Sequence, residues 1–136
     1  MTFPERPLER VTVNDVMHTG ILMTNPETPL KTVARLMADR KVHAVAVADT
    51  GSALGPFGII STLDIAAAVA SGEDLTAADA SRGDVITVRA DEQLENAASL
   101  MVEKKTEHLL VINPATGHAE GVLSALDVAG AYGARP

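Results

Sequence analysis

The stretch Gly58-Ile-Ile-Ser-Thr-Leu-Asp64 returns 63 residues later as Gly121-Val-Leu-Ser-Ala-Leu-Asp127. Across residues 58–66 and 121–129, five of nine positions are identical. Three of the others, Ile59/Val122, Ile60/Leu123 and Ile65/Val128, differ only in apolar size. Upstream, an offset of 64 lays residues 30–47 on 94–111. It superposes Leu30/Leu94, Ala34/Ala98, Leu36/Leu100, Met37/Met101, Lys41/Lys105 and Val47/Val111, and it also brings Asp15 onto Asp79. Register held through a whole unit, with a single one-residue loop deletion, is the mark of duplication.

Each copy of about 60 residues reads as βαββα. Short apolar strands fall at residues 21–24 and 85–88. Helices follow, with Thr28 as expected N-cap and Pro29 in the first turn, and Asp91 as the start of the second copy. They run to about Lys41 and Lys105, with Leu30, Val33, Ala34 and Met37 on one face and Leu94, Ala97, Ala98 and Met101 on its counterpart. Strands at 43–48 and 108–112, turn-rich loops at 49–56 and 113–117, and third strands at 57–60 and 120–123 complete the sheets. Helices then start at Thr62 and Ala125. A strand–helix–strand passage implies a parallel pair and a tight turn an antiparallel one, so each three-stranded sheet is expected to be mixed. The fold class is therefore α+β: two βαββα repeats, residues 11–72 and 73–136, behind an N-terminal segment 1–10. A three-stranded sheet cannot cover itself, so the repeats are expected to pack about a pseudo-two-fold axis.

Composition narrows the function. Apolar residues make up 46% and aromatics 2%, so the core must be aliphatic and methionine. A formal charge of −7 disfavours nucleic acid and anionic membrane as partners, since both need a basic face. The absence of cysteine excludes disulfides, thiol nucleophiles and thiolate metal sites. The first ten residues lack the apolar run of a signal peptide, and no stretch approaches the roughly 20 apolar residues of a membrane span. A cytoplasmic protein is expected. His18, His43, His108 and His118 have no metal-ligand spacing, and Ser61 and Ser124 have no base beside them, so neither a metal centre nor a nucleophilic enzyme is expected.

The repeated signature carries two readings. Its glycine permits close approach of backbone or ligand. Its serine stands where strand becomes helix, and free N–H groups at a helix start favour anions. Its aspartate, three residues on, could accept both hydroxyls of a vicinal diol such as ribose. Equally, Ser-x-x-Asp is a capping box, in which serine and acid satisfy the helix's own first N–H groups. Spacing alone does not choose between them.

The wider pattern resembles a tandem cystathionine β-synthase (CBS) domain pair, or Bateman module, across residues 11–132. Val13-Asn-Asp-Val-Met17 is similar to the family's opening motif. Val45-Ala-Val-Ala-Asp49 and Leu109-Leu-Val-Ile-Asn113 are similar to its hydrophobic-Pro-Val-hydrophobic-Asp strand, with Ala46 and Leu110 in place of the proline. The two signatures resemble its ribose motif. The resemblance implies a regulatory, non-catalytic module that binds an adenosyl ligand (AMP, ADP, ATP, S-adenosylmethionine or NAD) in clefts between repeats, with no required cofactor. It implies ribose contacts from Asp64 and Asp127, with Gly58, Ser61, Gly121 and Ser124 alongside. The resemblance further implies base contacts near Met23, Thr24 and Thr87, and phosphate contacts near His43 and His108. It further implies a homodimer and an effector protein. No Lys or Arg follows either aspartate within a turn, so ATP looks poorly supplied relative to adenosine or a monophosphate. The competing expectation is a ligand-free structural module whose aspartates are caps.

Overall fold

The computed structural model describes residues 8–49, 58–81, 83 and 85–134. Residues 1–7, the loop after Asp49 and Phe57 of the expected third strand lie outside the described residues. After a 3-10 turn at Leu8–Arg10 come α1 (Val13–Val16), β1 (His18–Thr19), β2 (Met23–Thr24), α2 (Leu30–Arg40), β3 (Ala44–Val47), β4 (Gly58–Ser61) and α3 (Thr62–Ser71). The second half holds α4 (Ala77–Ala80), β5 (Thr87–Arg89), α5 (Leu94–Lys104), β6 (His108–Ile112), β7 (Ala119–Ser124) and α6 (Ala125–Gly133).

These elements form two compact units, Ile21–Val85 and Met1–Gly20 with Ile86–Pro136. The units are offset from the sequence repeats: residues 8–20 belong with the second copy's sheet, and the described residues of 73–85 with the first's. In the 21–85 unit the sheet order is β2-β3-β4, parallel then antiparallel. In the other unit β5 and β6 are parallel, β6 and β7 antiparallel. Both sheets are mixed, as the strand–helix–strand and hairpin connections predict. The difference is β1, a fourth strand that pairs antiparallel with β7 and makes the order β1-β7-β6-β5. Two residues of polar sequence carry no strand periodicity; β1 exists only because β7 offers an edge to pair with.

Both cores are aliphatic. Leu30, Val33 and Met37 of α2 pack on Val45, Val47 and Ile60. Leu94, Ala97 and Met101 of α5 do the same on Val88, Leu109, Val111 and Leu123, joined by Val13 and Val16 of α1. Each fully buried Leu, Ile or Val contributes roughly 1.5–3 kcal/mol, so the repeated i, i+3, i+7 stripe stabilises both units in the same way.

The helix starts differ from the sequence expectation. Pro29 and Gln93, not Thr28 and Asp91, stand at the N-caps, and neither makes a side-chain cap. Leu30 N–H donates to the Leu75 carbonyl at 2.8 Å, and Leu94 N–H to the Val11 carbonyl at 2.9 Å. Backbone bridges Pro29–Thr76 and Thr12–Gln93 flank these bonds. A carbonyl brought in by tertiary packing replaces the side-chain cap, and no local motif announces it. Asp91 instead takes two 2.9 Å bonds from Arg89, whose guanidinium holds its carboxyl below the usual range.

Both long helices end on a lysine in the left-handed conformation, Lys41 at φ 54° and Lys105 at φ 53°. Glycine is the usual residue there, because a Cβ costs about 1–2 kcal/mol in that region. Lys41→Gly and Lys105→Gly are each expected to stabilise the chain by about 0.5–1 kcal/mol, the glycine's greater unfolded-state freedom offsetting part of the gain. A higher urea midpoint checks this; an unchanged or lower one contradicts it.

Candidate functional site

Each signature forms the end of a strand, β4 at the edge of its sheet and β7 inside its own, and the first turn of a helix. In the 21–85 unit Ser61 is the N-cap of α3. Ser61 N–H and Oγ–H donate to Asp64 Oδ2 at 2.7 and 2.9 Å, and Asp64 N–H donates to Ser61 Oγ at 3.4 Å. In the other unit Ser124 caps α6: its N–H donates to Asp127 Oδ2 at 2.9 Å, and Asp127 N–H to Ser124 Oγ at 3.1 Å. Both aspartates are thus capping-box residues. The junctions are pinned from behind by Thr62 N–H to the His43 carbonyl and Ala125 N–H to the Glu107 carbonyl, at 3.2 and 2.9 Å.

The same box opens the two one-turn helices. Thr12 N–H donates to Asp15 at 2.9 Å, and Thr76 N–H to Asp79 at 3.0 Å. The Thr76 N–H bond, followed by its hydroxyl, lowers the pKa of Asp79. Four Ser/Thr-x-x-Asp segments therefore cap four helices, and capping accounts for the spacing in all of them. Capping does not exhaust a carboxylate, which has about four acceptor positions. What separates the four is what else each acid meets.

Asp127 stands apart. It is 3% exposed, and with Ser61 it makes up the buried polar residues of the described chain. The His18 ring lies over it, Nδ1 3.0 Å from Oδ1 and 3.1 Å from Oδ2. An ionised carboxylate only accepts, so Nδ1 carries the proton. His18 reaches this position from β1, where His18 faces Val122 and Thr19 faces Gly121. A Cβ on Gly121 would lie 2.5 Å from the His18 carbonyl oxygen and 3.0 Å from Met17 Sδ. The glycine is required for close approach, as the sequence suggests, but what approaches in this structure is the chain's own strand. Asp64 is half-buried, and Gly58 is buried beside Val47.

The other candidates spread along the sheets. Thr24 and Gly58 both flank Val47, one end of their sheet, while Ser61 pairs with Ala44 at the other. Thr87 aligns with Leu110, and Leu110 with Val122 and so with His18 in one row. His108 pairs directly with Ser124, whereas His43 precedes its strand and is exposed. Under the 64-residue register His43 corresponds to Glu107 and His108 to Ala44, so these two histidines are not counterparts. His43 instead lines a hollow of about 310 Å³ with Lys41, Val42 and Thr62, which includes neither signature serine nor aspartate. A larger apolar groove of about 510 Å³ runs between α2 and α3, past Leu30, Ala34, Ile65 and Val69. Among the described residues no three His, Asp or Glu side chains gather as a metal site, and no helix is long and apolar enough to cross a membrane.

Sequence reasoning missed His18. Its partner lies 109 residues away, and no local spacing connects the two.

Comparison with known proteins converges on one family. The CBS domain family model matches residues 13–71 and again 77–134. The CBS domain pair of protein MJ0100, solved with 5′-methylthioadenosine and S-adenosyl-L-methionine, superposes with a TM-score of 0.81 at 20% identity, over 90% of this chain and 96% of that one. CBSX2 in complex with AMP gives 0.71 at 25% identity, over 89% and 95%. A homoserine O-acetyltransferase from Methanosphaerula palustris is 34% identical over 120 residues, 88% of this chain. The chain spans only 24% of that protein's length. With two successive domain matches covering nearly all of its length, and a fold shared with solved CBS pairs, the chain belongs to the CBS domain family as a tandem pair.

Proposed function

We propose that this chain is a regulatory module, cytoplasmic and non-catalytic, that binds an adenosine-containing ligand and passes its occupancy to an effector protein. The observation that carries the reading is the pair of Gly-h-h-Ser-x-Leu-Asp junctions. Each places a carboxylate one turn into a helix, in a member of the CBS family. Asp64 and Asp127 are assigned to the ribose, with Gly58, Ser61, Gly121 and Ser124 around them. Thr24 and Thr87 are assigned to the base, His43 and His108 to any phosphate. CBSX2, at 25% identity, was solved with AMP. α3 and α6 carry no Lys or Arg, and the chain's charge is −7, which favours an adenosyl group with one phosphate or none over ATP. The homoserine O-acetyltransferase relative supports an enzyme as effector, this kind of module forming one segment of its longer chain.

A thermal-shift and calorimetric panel of AMP, ADP, ATP, NAD, S-adenosylmethionine and methylthioadenosine tests the reading. Charged hydrogen bonds to a diol contribute roughly 1.5–3 kcal/mol, so Asp64→Ala is expected to weaken the best ligand about 10–100-fold. Unchanged affinity would return Asp64 to capping alone. A ligand-free structural module is the second reading, favoured by the same cap recurring at Thr12–Asp15 and Thr76–Asp79. On that reading no nucleotide shifts the melting temperature.

Self-association is assigned to α3 and α6. α3 buries no residue fully, and Leu63, Val69, Leu126 and Tyr132 are 61%, 77%, 66% and 65% exposed. Large apolar side chains left in water at matching positions of both repeats fit a homodimer formed through α3 and α6. A monomeric mass by light scattering would reject it.

A further inference from the structure

We infer that His18 is a displaceable stopper on Asp127, a gating residue that sets the affinity of the second-repeat site. The inference rests on the nucleotide reading above and concerns how that site is regulated. Three observations combine. Asp127 is 3% exposed, and the His18 ring contacts both of its carboxylate oxygens. Both carboxylate oxygens are engaged: Ser124 N–H donates to Oδ2, and His18 Nδ1 lies within 3.1 Å of Oδ1 and Oδ2. The stopper has room to leave, since the His18 side chain is 60% exposed and stands on β1, the edge strand of its sheet.

The backbone that carries the ring is tied down. Thr19 faces Gly121, Gly20 N–H donates to the Glu120 carbonyl at 2.8 Å, and the glycine at 121 lets the His18 carbonyl sit close. The side chain alone has to rotate outward for Asp127 to be reached, and solvent is available to receive it. Release therefore leaves the strand, the core and the Ser124–Asp127 cap intact. A ligand that binds only the open form has its apparent affinity reduced by the fraction of molecules that are open. With His18 closed about nine-tenths of the time, deletion of the ring would tighten binding about 10-fold. A residue that merely supported the fold would give no gain when removed, and a ligand contact would give a loss.

The test is isothermal titration calorimetry of the full chain with methylthioadenosine, S-adenosylmethionine and AMP as probes. It compares wild type, His18→Ala and His18→Ala/Asp127→Asn. His18→Ala is expected to bind the best probe about 10-fold more tightly. The gain should vanish in the double variant, whose asparagine oxygen still caps α6. Two outcomes overturn the stopper while leaving the nucleotide reading standing: affinity in His18→Ala equal to or weaker than wild type, or a gain that survives Asp127→Asn. No heat from any of the three proteins with any probe overturns the nucleotide reading and the stopper with it.

Discussion

Gly121→Val is expected to lower the unfolding free energy by about 3 kcal/mol, at the upper end for overpacking a well-fitted site. Valine is a good strand residue, so propensity favours the substitution at this position in β7. The opposing term is geometric. A Cβ here meets the His18 carbonyl oxygen at 2.5 Å, a backbone atom that cannot swing aside as a side chain can. β1 must separate from β7, and the pairing His18–Val122 and Thr19–Gly121 is lost with it. Met17, buried at the head of that strand, loses its seat. Gly133→Ala is the matched control, because a Cβ there meets nothing within 4 Å. Urea denaturation of both variants decides the matter. A Gly121→Val midpoint as close to wild type as that of Gly133→Ala would show that the strand contact carries no energy.

Asp127→Ala is expected to cost about 2 kcal/mol, against about 1 kcal/mol for Asp64→Ala, although both remove the same capping box. Loss of the cap is common to the two. At Asp127 the acid of the box is 3% exposed, whereas Asp64 is half-buried. Removing Asp127 vacates a buried position beside the Ser124 N–H, whereas at the half-buried Asp64 position water can take over the bond to the Ser61 N–H. The His18 pair adds little, because the imidazole is 60% exposed and returns to solvent when its partner is gone. Equal losses in the two variants would show that burial of Asp127 does not matter to the fold.

Much of this architecture is legible in one dimension. The offset of 64 and the i, i+3, i+7 stripes of α2 and α5 are local repetitions. The parallel and antiparallel pairs follow from what connects them. The Ser-x-x-Asp caps of α3 and α6 are likewise four-residue motifs. What was not legible is long-range. The N-termini of α2 and α5 take their acceptors from Leu75 and Val11, 45 and 83 residues away along the chain. No side chain at Thr28 or Asp91 was needed, so the local rule pointed to the wrong residue.

The repeated Gly-h-h-Ser-x-Leu-Asp stretch determined by itself the duplication, the strand-to-helix turns and the carboxylates one turn into each helix. All of these depend on residues within a few positions of one another. Tertiary structure alone decided what stands against those carboxylates. His18 reaches Asp127 because β1 adds to the edge of β7, and that pairing depends on backbone hydrogen bonds which any sequence of two extended residues can make. Side-chain pattern cannot encode a contact whose specificity lies in a neighbouring strand's missing Cβ.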